Sequence, residues 1–218
     1  MKDKLFIFDL DGTILRLNIS AEQFSNAKTR INAYFKEYGI QDDLRPLIPK
    51  IIILSKIVTK DKKLQEKIIK NSFSIIDEVE SNPDGGIEIR QENVDLLNDL
   101  KERNIKIGLM SNNGRMGVLN ALNKIGLSKD FFTFLITRDD VSLPKPFIDP
   151  YLKIEQYLSK YNCSLFTDDI FDFLPLINLE EIYNWNIKKY IVLQMDIKNQ
   201  SYNWITLNKM NFNALKEE

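Results

Sequence analysis

The pattern of apolar residues divides the chain into two kinds of segment. Leu5-Phe6-Ile7-Phe8 is an unbroken apolar run that ends abruptly in acidic residues and glycine. Such a run predicts a short strand that is buried on both faces, as strands of a parallel sheet are. From about residue 15 to residue 85, apolar residues recur instead at intervals of three and four, which predicts helices.

Three helices are predicted in this second segment. The first begins after Ser20, which is expected to form a capping box with Gln23, and ends near Gly39. The second spans residues 47–58 and is expected to be interrupted by Pro49, and the third spans roughly residues 62–79. The turn-forming residues 82–86, Asn-Pro-Asp-Gly-Gly, then mark a boundary.

Beyond this boundary the pattern alternates between helix and strand. Helices are expected at 91–103, 116–125 and 151–160, and strands at 105–110, 134–137, 164–167, 190–194 and 204–207. Strand and helix in repetition predict an α/β fold, with a Rossmann-like parallel sheet that carries helices on both faces. We predict a core made of residues 1–14 and 86–218, with residues 15–85 inserted as a small helical cap.

Composition and charge restrict the classes of function. The 218 residues include 30 basic and 31 acidic side chains, a net charge of -1, which argues against broad electrostatic binding to nucleic acid or to an anionic membrane. The apolar start is too short for a signal peptide, and no apolar stretch is long enough to span a bilayer. We therefore expect a cytoplasmic protein, and the sequence leaves its oligomeric state open.

The reactive side chains available are also few in kind. Histidine is absent, which excludes Ser-His-Asp and Cys-His catalysis and histidine metal sites. Cys163 is the single cysteine, so an internal disulfide is excluded. Any catalysis must therefore depend on carboxylates, lysines, hydroxyls, amides and a bound cation.

Polar residues of these kinds follow three of the predicted strands. They are Asp9 and Asp11, then Ser111 and Asn112, then Asp168, Asp169 and Asp172, with Lys145 in a loop between the last two groups. In open parallel sheets, ligands bind beyond the carboxyl ends of the strands. So many carboxylates at one edge repel each other unless a cation is present, and oxygen ligands alone favour magnesium.

These segments resemble the four motifs of the haloacid dehalogenase superfamily. Asp9-Leu10-Asp11-Gly12-Thr13 is similar to the first, Ser111-Asn112 to the second and Lys145-Pro146 to the third. Thr167-Asp168-Asp169-Ile170-Phe171-Asp172 is similar to the fourth, in which two aspartates stand four residues apart. The helical segment between the first two motifs occupies the place of a small helical cap, which is typical of the phosphoglycolate-phosphatase-like branch.

The resemblance implies a role for each motif residue. Asp9 would attack phosphorus, and Asp11 would protonate the leaving oxygen and then deprotonate the hydrolytic water. The residues that would bind the phosphate are Gly12, Thr13, Ser111, Asn112 and Lys145. The residues that would hold Mg²⁺ are Asp9, Asp11 through its carbonyl, and Asp168, with Asp169 or Asp172 as supporting or alternative ligands.

The resemblance therefore implies a phosphatase, namely magnesium-dependent hydrolysis of a small phosphate monoester through an aspartyl-phosphate. The spacing to Asp172 favours Asp168 over Asp169 as the direct metal ligand. Thr167, Asp169 and the segment after Asp172 depart from the family pattern, which leaves the rim of the site and the substrate undefined. Two alternatives remain, a phosphomutase of the β-phosphoglucomutase type and a non-catalytic binding or regulatory protein on the same fold.

Overall fold

A computed structural model describes residues 3–193 and 205–208. The strands are β1 (Lys4–Phe8), β2 (Leu15–Leu17), β3 (Ile87–Ile89), β4 (Lys106–Met110), β5 (Phe134–Ile136), β6 (Asn162–Thr167), β7 (Ile187–Leu193) and β8 (Ile205–Asn208). The helices are α1 (Ala21–Lys36), α2 (Leu47–Val58), α3 (Lys62–Ser81), α4 (Gln91–Glu102), α5 (Arg115–Lys124), α6 (Asp149–Lys153), α7 (Glu155–Lys160) and α8 (Leu176–Tyr183).

Six of the strands form one parallel sheet in the order β5-β4-β1-β6-β7-β8. β1 lies near the centre, and its apolar run is buried on both faces, as the sequence predicts. Phe6 and Phe8 pack on the face covered by α4 and α5, and Leu5 and Ile7 pack on the face covered by α6, α7 and α8. The predicted α/β class with helices on both faces of a parallel sheet is therefore confirmed.

The inserted helices α1, α2 and α3 enclose an apolar cluster of their own, which includes Ile31, Phe35, Ile51, Leu54 and Ile68. The prediction that Pro49 interrupts the second helix is wrong, because α2 runs without a break from Leu47 to Val58. Pro49 stands in the first turn, where a backbone N–H has no partner within the helix and its absence costs no hydrogen bond. The exact boundaries of core and cap, at residues 15 and 86, stay a prediction.

Two short segments connect the sheet to these helices, β2 before α1 and β3 after α3. They pair antiparallel and form a two-stranded ribbon. Sequence periodicity missed this ribbon, since three-residue strands are too short to show an alternation. The predicted capping box is only half right: Ser20 Oγ accepts a hydrogen bond from the Gln23 backbone N–H. The Gln23 side chain binds the Asn82 carbonyl and the Asp84 N–H instead, and it thereby ties the start of α1 to the turn after α3.

Other differences are local. The helix predicted at 151–160 is divided into α6 and α7 at Ile154, and β6 and β7 begin earlier than expected. Residues 205–208 form a strand, as predicted, whereas Gln194 and Trp204, the ends of two predicted strands, lie outside the described residues. In the part of the chain that the structure describes, no helix has both the length and the apolar character needed to cross a membrane.

Candidate active site

Adjacent strand ends bring the predicted polar segments to one edge of the sheet. β1 lies between β4 and β6, so the residues that follow these three strands are neighbours. The parallel hydrogen-bond pattern continues into them, since Asp9 N–H donates to the Phe166 carbonyl at 2.8 Å and Ser111 N–H donates to the Ile136 carbonyl at 2.9 Å. The sheet therefore fixes the backbone of both residues.

The Lys145 side chain is the central contact of the site. Its Nζ donates to Asp9 Oδ1 at 2.8 Å and to Asp172 Oδ2 at 2.6 Å, and all three residues are buried. Thr167 Oγ1 donates to the same Asp172 oxygen at 2.7 Å, and Tyr151 OH donates to the Asp172 carbonyl at 2.5 Å. Asp172 thus holds the lysine beside Asp9 from a position that is itself fixed by two hydroxyls.

Asn112 joins the second and third segments. Its Nδ2 donates to the Lys145 carbonyl at 2.8 Å, and the preceding residue, Ser111, donates from Oγ to Asn113 Oδ1 at 2.8 Å. Ser111 is buried at the end of β4, and Asn112 is half-buried. Together with the lysine contacts, this bond links the segments that end β1, β4 and β6 and the Lys145 loop into one hydrogen-bonded group.

The loop after β1 approaches Asp168 closely. Gly12 has a φ of +81°, and a Cβ at this position would lie 1.9 Å from Asp168 Oδ2. Only glycine leaves room for the Asp168 carboxylate against this loop. Asp11 Oδ1 accepts a hydrogen bond from the Leu17 N–H at 2.8 Å, which connects the loop to the β2–β3 ribbon.

Burial and mutual repulsion raise the pKa values of two of these carboxyl groups. The pKa of Asp9 rises to about 7, chiefly through burial and also through the charges of Asp172 and Asp168, although Lys145 opposes the shift. Asp168 is exposed as a whole residue, but partial desolvation of its carboxyl group and the charge of Asp11 raise its pKa to about 6. Burial alone would lower the pKa of Lys145, but the charges of Asp172 and Asp9 outweigh it and raise that pKa.

These shifts and the donor set fit a hard cation. Asp9 and Asp168 offer carboxylate oxygens, and a positive ion between such groups offsets their repulsion. Among the residues that the structure describes, no three acidic or cysteine side chains form a ready metal cluster. The ligand set implied by the family resemblance needs only two such side chains, because Asp11 would contribute its backbone carbonyl.

Two predicted site residues are placed differently from the rest. Thr13 is fully buried, and within residues 3–193 and 205–208 no group bonds its hydroxyl; its carbonyl accepts from Asn93 Nδ2 at 2.7 Å. Asp169 is exposed, as Asp168 is, but its carboxylate is occupied by the backbone: it accepts the Phe171 N–H at 2.9 Å, which caps the helical turn Ile170–Phe173. The catalytic, phosphate-binding and metal-binding roles of all the predicted residues stay predictions.

Several residues that support the site escaped the sequence analysis. Tyr151 and Thr167 bind Asp172, while Asn93 and Arg90, near the start of α4, bind carbonyl groups of the loop after β1. The sequence carried one signal, namely Thr167 at a position where the family more often has glycine. The others lie far along the chain from the groups they bind, and no motif spacing marks them.

Comparison with known proteins adds a family match. A family model described as haloacid dehalogenase-like hydrolase matches residues 6–173. Pyrophosphatase PpaX from Oceanobacillus iheyensis is 27% identical over 176 residues, which cover 74% of this chain and 72% of that protein.

Solved structures with a similar fold align with nearly the full length of the chain. A hydrolase from Pseudomonas syringae aligns with a TM-score of 0.61 at 20% identity, over 100% of this chain and 99% of that one. A Thermotoga maritima protein proposed to be a β-phosphoglucomutase aligns with a TM-score of 0.56 at 21% identity, over 98% of this chain and 99% of the other. At these identities the two structures are similar in fold alone.

Proposed function

The chain belongs to the haloacid dehalogenase-like hydrolase family, and we propose that it hydrolyses a small phosphate monoester through a covalent phosphoryl intermediate on Asp9. The observation that carries this proposal is the position of Lys145 Nζ, 2.8 Å from Asp9 Oδ1 and 2.6 Å from Asp172 Oδ2 in a buried site. A buried cation beside a buried carboxylate suits a reaction in which that carboxylate meets a phosphate dianion.

The first step transfers the phosphoryl group to the protein. An Asp9 oxygen forms a bond to phosphorus while the bond from phosphorus to the leaving oxygen breaks. Asp11, in its protonated form, gives its proton to that oxygen, and the alcohol leaves. Burial raises the pKa of Asp11, although the Leu17 N–H and the charge of Arg16 oppose the shift, and a raised pKa favours the protonated form that this step requires.

The second step releases the phosphate. Asp11, now ionised, takes a proton from a water molecule whose oxygen attacks phosphorus, and the bond from phosphorus to Asp9 breaks. Asp9 returns to its carboxylate form, and Asp11 is again protonated. Both steps develop charge on phosphoryl oxygens, which Lys145 and the polar groups after β4 are placed to stabilise.

Magnesium completes the proposed site. Asp9, the Asp11 carbonyl and Asp168 would hold the ion, and Asp168 is favoured over Asp169 because the Asp169 carboxylate caps the turn that follows. When bound, the ion would neutralise charge on the phosphoryl group and on the two carboxylates. Asp172, bound to Lys145 and Thr167, would act on the metal only indirectly.

The substrate is proposed by class only. The net charge of -1 supports a small phosphorylated metabolite rather than a nucleic acid or an anionic membrane as the partner, and the cytoplasmic location stays a prediction. A second candidate reaction is the hydrolysis of inorganic pyrophosphate. It is supported by the 27% identity to a relative that is named a pyrophosphatase.

A phosphate-release screen tests the proposal. The wild type and Asp9→Asn are compared on phosphate monoesters and on pyrophosphate, each with Mg²⁺ and with chelator. The proposal expects release by the wild type that is abolished by chelator and by the substitution. Interconversion of sugar phosphates that depends on a sugar bisphosphate and releases little phosphate would indicate the phosphomutase. Phosphate release no greater than that of Asp9→Asn would indicate a non-catalytic protein.

A further inference from the structure

A buried arginine connects the inserted helices to the loop after β4. Arg138, only 1% exposed, follows β5 and lies outside all four motifs. Its guanidinium donates to Glu80 Oε1 at 3.0 Å and to Glu80 Oε2 at 2.8 Å, and it also binds Asp77. Both acids belong to the last part of α3, so a single side chain fastens this helix to the sheet domain.

Arg138 and Glu80 together bind three consecutive residues of the loop that follows Ser111. Arg138 donates from its side chain to the Asn112 carbonyl at 2.7 Å and from its backbone N–H to the Asn113 carbonyl at 3.1 Å. Glu80 Oε2 accepts the Gly114 N–H at 2.8 Å. The ion pair therefore binds backbone groups of Asn112 and Gly114, and the Arg138 backbone binds that of Asn113, the residue between them.

The close approach depends on a glycine. A Cβ at Gly114 would lie 2.0 Å from Asp77 Oδ1, so a side chain at this position would displace the acid. Arg138 also stacks over the Phe73 ring, with its Cζ 4.9 Å from the ring centroid. Residues of α3 and of the 112–114 loop therefore pack closely around the Arg138 guanidinium, which lies just after β5.

Stability alone explains this arrangement poorly. Removing charges from water is costly, and replacing a buried ion pair by well-packed apolar residues is often neutral or stabilising. A guanidinium offers something that apolar packing does not, namely donors in a rigid fork that fix the positions of their acceptors. Here the acceptors include the backbone of the loop that presents Ser111 and Asn112.

We propose that Arg138 is a positioning residue for catalysis. It fixes the backbone of the 112–114 loop and, through Asn112, the position of the loop that carries Lys145. The bond from Asn112 Nδ2 to the Lys145 carbonyl, 2.8 Å long, carries the effect onward to Lys145. Because Glu80 and Asp77 belong to α3, the position of the 112–114 loop depends on how α3 packs against the sheet domain. The catalytic part of this inference rests on the proposed function, whereas the ordering of the loop does not.

Arg138→Lys tests the inference, with Arg30→Lys as the matched control. Arg30, on α1, also pairs with an acid of α3, because its side chain lies 2.7 Å from Glu78. Both of these side chains are about half exposed. Lysine keeps the positive charge but lacks the planar set of N–H donors that a guanidinium offers. We expect Arg138→Lys to lower kcat by about 10–100-fold with a smaller change in KM, at a temperature where both variants are folded. Arg30→Lys should leave both constants unchanged.

Hydrogen exchange supplies a second readout that does not require activity. The Gly114 amide should lose protection in Arg138→Lys, while the amides of β1 keep theirs. If Arg138→Lys fails to fold, Asp77→Asn serves instead, because it removes one charge at the edge of the group. Normal kcat together with unchanged protection of Gly114 would overturn the proposal, even if the melting temperature fell.

The two readouts separate this inference from the proposed function. A wild type without phosphatase activity would refute the proposed function, and the exchange of Gly114 would then decide the ordering role alone. An active wild type whose Arg138→Lys variant keeps full kcat would leave the proposed function intact and refute the positioning role.

Discussion

Asn112 donates a hydrogen bond from Nδ2 to the carbonyl of Lys145, at 2.8 Å, although the two residues lie 33 positions apart in the chain. This bond joins the residue after β4 to the loop whose side chain reaches Asp9. The site is therefore a connected network, in which a change at one motif alters the geometry at another.

Asn112→Asp removes the donor of this bond while keeping the size of the side chain. The new carboxylate faces the Lys145 carbonyl, which repels it, so we expect kcat for phosphate release to fall by about 10–100-fold. Steady-state kinetics measure this. Asn71→Asp is the matched control, since Asn71 donates to the Tyr34 hydroxyl on an exposed surface and its variant should keep full activity.

Lys145→Met leaves Asp9 and Asp172 buried beside each other without their cation. Breaking a buried ion pair in this way should lower the free energy of unfolding by about 3–5 kcal/mol at neutral pH. Urea denaturation measures this change. The deficit should shrink as the pH falls below about 7, because protonation of Asp9 removes one of the two repelling charges.

Lys50→Met is the control for that experiment. Lys50 forms a partly exposed pair with Asp42 at 3.3 Å, and its loss should cost less than about 1 kcal/mol. Equal losses of unfolding free energy in the two variants would contradict a stabilising role for the buried ion pairs of Lys145. A loss in Lys145→Met that does not depend on pH would also contradict it.

Thr167→Val removes a hydroxyl at nearly constant volume. Asp172 then loses one of its buried hydrogen bonds, at a cost of about 1–3 kcal/mol in the free energy of unfolding. Thr29→Val, which removes an exposed hydroxyl bonded to the Ser25 carbonyl, should change stability by much less. Thermal melts of both variants provide the comparison, and a similar change in the two would contradict the role assigned to Thr167.

The pKa of Asp9 predicts how stability depends on pH without metal. Its value of about 7 in the folded state lies above the unfolded value of 3.8, so the folded state binds more protons between these values. Stability should therefore fall as the pH rises from about 4 to 7. Asp9→Asn removes this titration and should be the more stable protein at pH 7 in chelator.

Added Mg²⁺ should reverse that order of stability. The ion should stabilise the wild type by mass action and should stabilise Asp9→Asn much less, because one carboxylate ligand is lost. Melting temperatures of both proteins, with Mg²⁺ and with chelator, test the prediction. Equal stabilisation of the two would argue that Asp9 is not a metal ligand.

The sequence predicts the sheet because its signals are local. Leu5-Phe6-Ile7-Phe8 is apolar without interruption, and the structure buries each of its residues on one face or the other. In a parallel sheet the carboxyl ends of the strands share one edge, and Asp9, Ser111 and Asp168 follow strands that lie side by side. The clustering of the motif residues could therefore be predicted from strand ends alone.

Features that depend on contacts between distant residues could not be predicted. Arg138 and Glu80 are 58 positions apart, and nothing in the local sequence of either marks them as partners. The same holds for Tyr151 and Asn93, whose hydrogen bonds to the site exist only once the helices have packed. The β2–β3 ribbon was missed for a different reason, since its three-residue strands are too short to show a clear alternation of apolar and polar residues.

The central claim is that Asp9 carries the phosphoryl group, and trapping that group tests it most directly. The enzyme is quenched in acid during turnover of its best substrate and treated with borohydride, which reduces an acyl phosphate to an alcohol. Peptide mass spectrometry then identifies the modified position. We predict reduction at Asp9, only when substrate and Mg²⁺ are both present. Steady phosphate release with Asp9 unmodified, or undiminished release by Asp9→Asn, would contradict the account.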